Sequence, residues 1–126
     1  MIDTTTNITR VGTVLVPVAD QDRAVEFYVD TLGFEKRLSA DSGGGSRWVE
    51  VAPPGGGTTL ALVASTAGAA GFEVSFATAN AAADHADLVG RGVDADADLI
   101  RMGGGVPPMF TFRDPDGNRF RIVERA

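Results

Sequence analysis

Hydrophobic alternation marks the start of the fold. Between Val11 and Val18, the side chains of Val14, Val16 and Val18 fall on one side and those of Thr13 and Leu15 on the other, the period of a half-buried strand. The spacing then lengthens. In "DQDRAVEFYVDTLGF", Ala24, Phe27, Tyr28 and Leu32 recur at helical intervals, Asp20 or Asp22 is placed to cap the N-terminus, and Gly33 closes the helix. Three strands are predicted next, at about 34–40, 47–51 and 58–63, with "SGGGS" and "PPGGG" as the hairpin loops between them. After the small-residue linker "ASTAGAA" the order repeats. A strand is predicted at about 73–78, a helix in "NAAADHADLVGRG" capped by Asn80, and strands at about 95–101, 108–113 and 119–124. Strand, helix and three strands thus occur twice. The pattern predicts an α+β domain of two modules sharing one core, module one at about 9–63 and module two at about 71–125.

Composition narrows the chemistry. A chain of 126 residues suffices for one domain with its own core, and 44% hydrophobic against 22% charged residues is the balance of a soluble globular protein. The absence of cysteine excludes disulfides, thiolate metal sites and thiol catalysis. No apolar run is long enough to span a membrane, and "MIDTTTNITR" lacks the basic and apolar regions of a signal peptide, so a cytoplasmic protein is expected. Eleven basic against seventeen acidic residues, a formal charge of −6, argue against a nucleic-acid partner and suit a neutral or cationic small molecule. No glycine cluster continues into Gly-Lys-Ser/Thr or joins a strand to a helix, so these clusters are loops and not phosphate cradles.

The segment "TFRDPDGNRFRIVER" places Asp114, Asp116 and Asn118 within five residues. A calcium loop of the EF-hand type would need further oxygen ligands, a late bidentate glutamate and flanking helices. Here strand-like aromatic segments flank it instead. Pro115 presets φ, Asp114 can accept from the backbone two residues on and Gly117 permits positive φ, so the segment is a turn.

That turn, together with "VLVPVADQDRAVEFYVDTLGFEKR" near the start and "FTFRDPDGNRFRIVER" at the end, resembles the vicinal-oxygen-chelate superfamily. This group includes glyoxalase I, extradiol dioxygenases and bleomycin-resistance proteins. The resemblance covers nearly the whole chain. It implies two paired βαβββ modules whose curved mixed sheets surround a cavity, commonly in a homodimer. It also implies one divalent metal held by His, Glu or Gln from the first and last strands of each module. The matching positions in this chain are Thr13, Ala61, Glu73 and Arg121. One carboxylate beside a fixed positive charge is a poor donor set for a divalent ion, so a member without a metal or other cofactor is expected. The alternation that places Glu73 and Arg121 on one face predicts an ion pair between them.

Alternation in "RWVEV" separates Trp48 and Glu50 from Val49 and Val51, which puts Trp48 and Glu50 in the cavity if the valines pack on the helix. Trp48 offers a planar surface, and Glu50 would favour a cation upon it. Trp48 filling the core or a dimer interface is the alternative. Phe110 and Phe112 are assigned to the core, and Met109 to the pocket. The only histidine, His85, lies on the second helix near Leu88 and Val89 and reads as a core-edge residue, with no triad around it.

The candidate ligand-binding set is therefore Thr13, Trp48, Glu50, Glu73, Met109 and Arg121. It suggests a protein similar to bleomycin-resistance proteins, which sequesters a small planar or cationic ligand and has no assigned catalytic residue. The alternative is a metal-dependent glyoxalase-like lyase or isomerase, or a dioxygenase.

Overall fold

A computed structural model of the chain describes residues 7, 11–43, 46–65 and 73–125. The starts expected for the two modules, the tip of the first hairpin and most of "ASTAGAA" lie outside the described residues.

The chain forms two four-stranded sheets. In the first, β1 (Thr13–Val18) pairs in parallel with β4 (Thr59–Ala64), and β3 (Ser46–Ala52) and β2 (Glu35–Gly43) follow in antiparallel order. The second repeats this plan with β5 (Glu73–Thr78), β8 (Arg119–Glu124), β7 (Met109–Arg113) and β6 (Asp94–Ala95). The parallel pair in each sheet arises because a helix crosses over between the first strand and the rest.

Both helices begin where the caps predict. Asp20 accepts from the Arg23 amide at 3.1 Å to start α1 (Gln21–Val25), and Asn80 accepts from the Ala83 amide at 3.0 Å to start α2 (Ala81–Gly90). Helical spacing predicts one continuous α-helix as far as Gly33, but Glu26–Thr31 is π-helical, closed by the Leu32 amide donating to the Phe27 carbonyl at 3.0 Å. Gly33 then takes φ +80°, which ends the helix.

The strand expected at about 95–101 is also different. Only Asp94–Ala95 is a strand, and beyond it Ile100 and Met109 form an isolated bridge. Pro107 and Pro108 have no amide to donate, and Gly103, Gly104 and Gly105 all take positive φ, so a regular ladder cannot form there.

The core lies between the sheets. Val16, Val18, Val49, Val51, Leu60 and Leu62 supply the helix side of the first sheet, and Phe110, Phe112, Phe120 and Ile122 that of the second. Phe76, Phe112 and Phe120 stack, with Phe120 5.3 Å from Phe76 and 5.4 Å from Phe112. Tyr28 meets Phe120 edge-on at 6.0 Å and Phe34 meets Phe76 at 5.4 Å, which joins the first helical segment to the second sheet. The helix sides of the two sheets therefore face one another.

Candidate functional site

Because the helix sides meet, the opposite faces of the two sheets point away from each other. Side-chain parity assigns Thr13, Leu15, Trp48, Glu50, Thr59 and Ala61 to the outer face of the first sheet. Glu73, Met109, Thr111 and Arg121 belong to the outer face of the second. The six residues singled out from sequence thus fall into two groups of three, Thr13, Trp48 and Glu50 on one sheet and Glu73, Met109 and Arg121 on the other. Among the described residues, none of the six is in the lining of the two clefts between the sheets. The clefts between the sheets, the larger of about 270 Å³, are walled by helix-side residues such as Leu60, Val74 and Phe76.

The first group is a connected network. The Trp48 indole Nε1–H donates to Glu50 Oε2 at 2.6 Å, and the Thr59 hydroxyl donates to Glu50 Oε1 at 2.6 Å. Thr59 is in turn 2.9 Å from the Thr13 hydroxyl. The two donors, Thr59 first and Trp48 second, hold the Glu50 carboxyl below its ordinary range, so it stays ionised. Thr59 was missed from the sequence, although it lies two residues before Ala61 and therefore on the same face. Around this network the surface is apolar and open: Leu15 is 55% exposed and Leu38 is 46% exposed.

The second group contains the expected ion pair, with Arg121 Nη2 3.0 Å from Glu73 Oε1. The side chains are 37% and 43% exposed, so this is a half-open pair and not a sealed one. The Arg121 Nε–H is shielded and has no acceptor among the described residues. Met109 is half-buried on the same face. In the isolated chain, Arg121→Leu or Glu73→Gln is expected to cost under about 1 kcal/mol in chemical denaturation, with coupling of the same order. A coupling of several kcal/mol would show that the pair is covered in solution.

The positions that match the superfamily's metal ligands do not form a donor set. Ala61 has no donor atom, and the Glu73 carboxylate is held by the Arg121 guanidinium. Among the described residues no group of three or more His, Asp or Glu side chains is arranged to hold a metal ion. His85 sits at the core edge, its Nε2 2.7 Å from the Asp96 carbonyl and its ring against Phe110 at 5.0 Å, a link between α2 and the following loop.

The Asp-Pro-Asp-Gly turn has a larger role than its sequence suggests. Gly117 takes φ +83°, and Asp114 Oδ1 accepts from the amides of Asp116 at 3.0 Å and Asn118 at 2.8 Å. Its other oxygen accepts from the Tyr28 hydroxyl at 2.7 Å and from Asn118 Nδ2 at 2.8 Å. Asn118 Nδ2 also donates to the Pro17 carbonyl at 2.8 Å, and the Ala19 amide donates to Asp116 Oδ1 at 2.9 Å. The turn thus fastens the second sheet to the β1–α1 junction and fixes how the two outer faces diverge.

Comparison with known proteins agrees with this architecture. Residues 10–122 match the Glyoxalase/Bleomycin resistance protein/Dioxygenase superfamily. A member of that superfamily from Sphaerobacter thermophilus is 33% identical and superposes with a TM-score of 0.83, over 94% of this chain and 98% of its own. TnmS3, an antibiotic binding protein from Streptomyces sp. CB03234, is 33% identical with a TM-score of 0.80, over 97% of this chain and 100% of its own. The fosfomycin resistance protein FosX of Listeria monocytogenes, 13% identical with a TM-score of 0.76 over 94% of this chain and 95% of its own, shares the fold. No curated protein sequence gives a significant match. Among the described residues no helix is long and apolar enough to cross a membrane. The repeated sheet plan and the match along nearly the whole chain show that this protein belongs to the Glyoxalase/Bleomycin resistance protein/Dioxygenase superfamily.

Proposed function

We infer that this protein binds and sequesters a small planar molecule, neutral or cationic, without a metal, in a cavity closed by two copies of the chain. The observation that carries this is the open outer face of the first sheet, where Trp48 is fixed by an ionised carboxylate and flanked by exposed leucines. An indole held in one orientation is a ready stacking surface, since little conformational freedom is lost when a ring settles on it. The neighbouring carboxylate favours a positively charged ring system. Likeness to an antibiotic binding protein supports a sequestering role.

A second copy is part of the proposal because the two outer faces of one chain point apart. Placing the first-sheet face of one copy over the second-sheet face of another would cover Leu15 and Leu38. It would also bring Thr13, Trp48 and Glu50 opposite Glu73, Met109 and Arg121. Such a dimer has two equivalent cavities by symmetry.

The test is a titration of the fluorescence of Trp48, the single tryptophan, with proflavine, a planar aromatic cation. Saturable quenching is expected, with a stoichiometry of one dye per chain and an affinity that falls when the protein is diluted below its dimerisation range. Absence of saturable binding by proflavine and by uncharged planar aromatics would end the sequestration reading. A stoichiometric divalent metal in the purified protein would instead revive the enzyme alternative.

A further inference from the structure

The network on the first sheet has a direction, and the direction follows from counting protons. A threonine hydroxyl has one hydrogen to donate and lone pairs to accept with, an indole has one N–H and no acceptor, and an ionised carboxylate only accepts. Glu50 is ionised and takes one donor on each oxygen, the Trp48 N–H at 2.6 Å and the Thr59 O–H at 2.6 Å. The only hydroxyl hydrogen of Thr59 is therefore committed to Glu50. In the 2.9 Å contact between the two threonines the donor must then be Thr13. The Thr13 hydrogen is committed in turn, and its oxygen is left with lone pairs alone. Every polar hydrogen in the chain Thr13–Thr59–Glu50–Trp48 points inward along the network.

We propose that this directed network makes the Thr13 hydroxyl an acceptor subsite, at which ligands that present an N–H or O–H donor to it are favoured over those that present a carbonyl there. The proposal rests on the sequestration reading above and specifies the ligand chemistry of that same site. A ligand carbonyl placed against Thr13 would meet a lone pair, and the Thr13 hydroxyl can turn to meet it only by giving up its bond to Thr59. A ligand N–H finds an acceptor already aimed. Buried polar mismatch discriminates more strongly than shape does, because the unpaired group has lost water without replacement. Thr59 and Glu50 are positioning residues here: they set which way the Thr13 hydrogen points.

Two tricyclic probes isolate this effect from charge and size. Carbazole carries a ring N–H donor, and fluorenone carries a carbonyl acceptor on a plane of nearly the same outline. Both are neutral, so the charge of Glu50 does not separate them. Calorimetry on the intact protein is expected to show carbazole bound at least about tenfold more tightly than fluorenone, the scale of one unmatched polar contact. Thr59→Val keeps the side-chain shape and the Glu50 charge but releases the Thr13 hydrogen, so the preference should fall towards unity. Should Thr59→Val fail to fold by circular dichroism, Thr13→Val tests the same point by removing the acceptor itself, with the same expected loss of preference.

Glu50→Gln provides an independent readout. A glutamine that accepts from Trp48 donates its amide to Thr59, which reverses the chain and frees the Thr13 hydrogen towards the ligand. Fluorenone should then gain relative to carbazole. Equal binding of the two probes to the unaltered protein, or a preference that survives in both valine variants, would overturn the proposal and leave sequestration intact. Failure of carbazole, fluorenone and proflavine alike to bind would remove the sequestration reading and the proposal with it.

Discussion

Asp114→Ala should lower the stability of the folded chain by about 3–5 kcal/mol, the cost of stripping a buried acceptor from several donors at once. Asp114 is 5% exposed and accepts four hydrogen bonds, from the Tyr28 hydroxyl, Asn118 Nδ2 and the amides of Asp116 and Asn118. Removing it leaves the Tyr28 hydroxyl, itself in a fully buried residue, without a partner. Chemical denaturation measures the loss, and a change under about 1 kcal/mol would mean that water replaces the carboxylate. Alkaline titration gives a second measurement. Burial first, and then the Asp114 charge, raise the Tyr28 pKa well above that of a free phenol. Below about pH 10 the phenol is neutral in both states and its contribution is complete; above it only the unfolded chain ionises, so stability falls. Tyr28 is the single tyrosine, so tyrosinate absorbance should appear together with loss of the far-ultraviolet signal and not before it.

Trp48→Ala should weaken proflavine binding by about 1–3 kcal/mol, or roughly five- to 150-fold, the usual range for truncating an aromatic contact at the centre of a site. The variant has no tryptophan left to report, so binding is followed by calorimetry or by dye emission. Trp48→Phe keeps a ring but not the N–H that donates to Glu50. It should recover part of the affinity, with the remainder measuring how much a fixed ring orientation contributes. The fold should survive both changes, because Trp48 is half-buried whereas its neighbours Val49 and Val51 carry the packing. Unchanged affinity in Trp48→Ala would move the indole out of the ligand site and into the contact between copies.

The sequence by itself determined every feature set by local chemistry. Period-two alternation fixed which side of β1, β3, β5 and β8 is apolar, since a strand with one buried face cannot slip by one residue without exposing its core side. The caps Asp20 and Asn80 and the turn at Gly117 were legible because each satisfies a backbone requirement within a few residues. The Glu73–Arg121 pair was legible too, because strand parity and the family topology together bring the two positions close. The π-helical segment was not, because helical spacing alone does not separate it from an α-helix. The short β6 was legible only in part, since Gly103, Gly104, Gly105, Pro107 and Pro108 opposite it outweigh the alternation at about 95–101.

Tertiary structure alone decided how the outer faces are disposed. Parity says that Trp48 and Arg121 each leave the core, but not whether those two directions converge. That relation is set by Tyr28 reaching Asp114 and by Asn118 reaching Pro17, contacts that span 86 and 101 positions of the chain. Each of these residues has an adequate local explanation, in a helix or a turn, so nothing in the sequence marks it as a long-range fastener. The direction of the hydrogen-bond chain through Thr59 was hidden for the same reason. A threonine at the start of a strand looks like strand chemistry until a carboxylate from the neighbouring strand fixes where its proton must point.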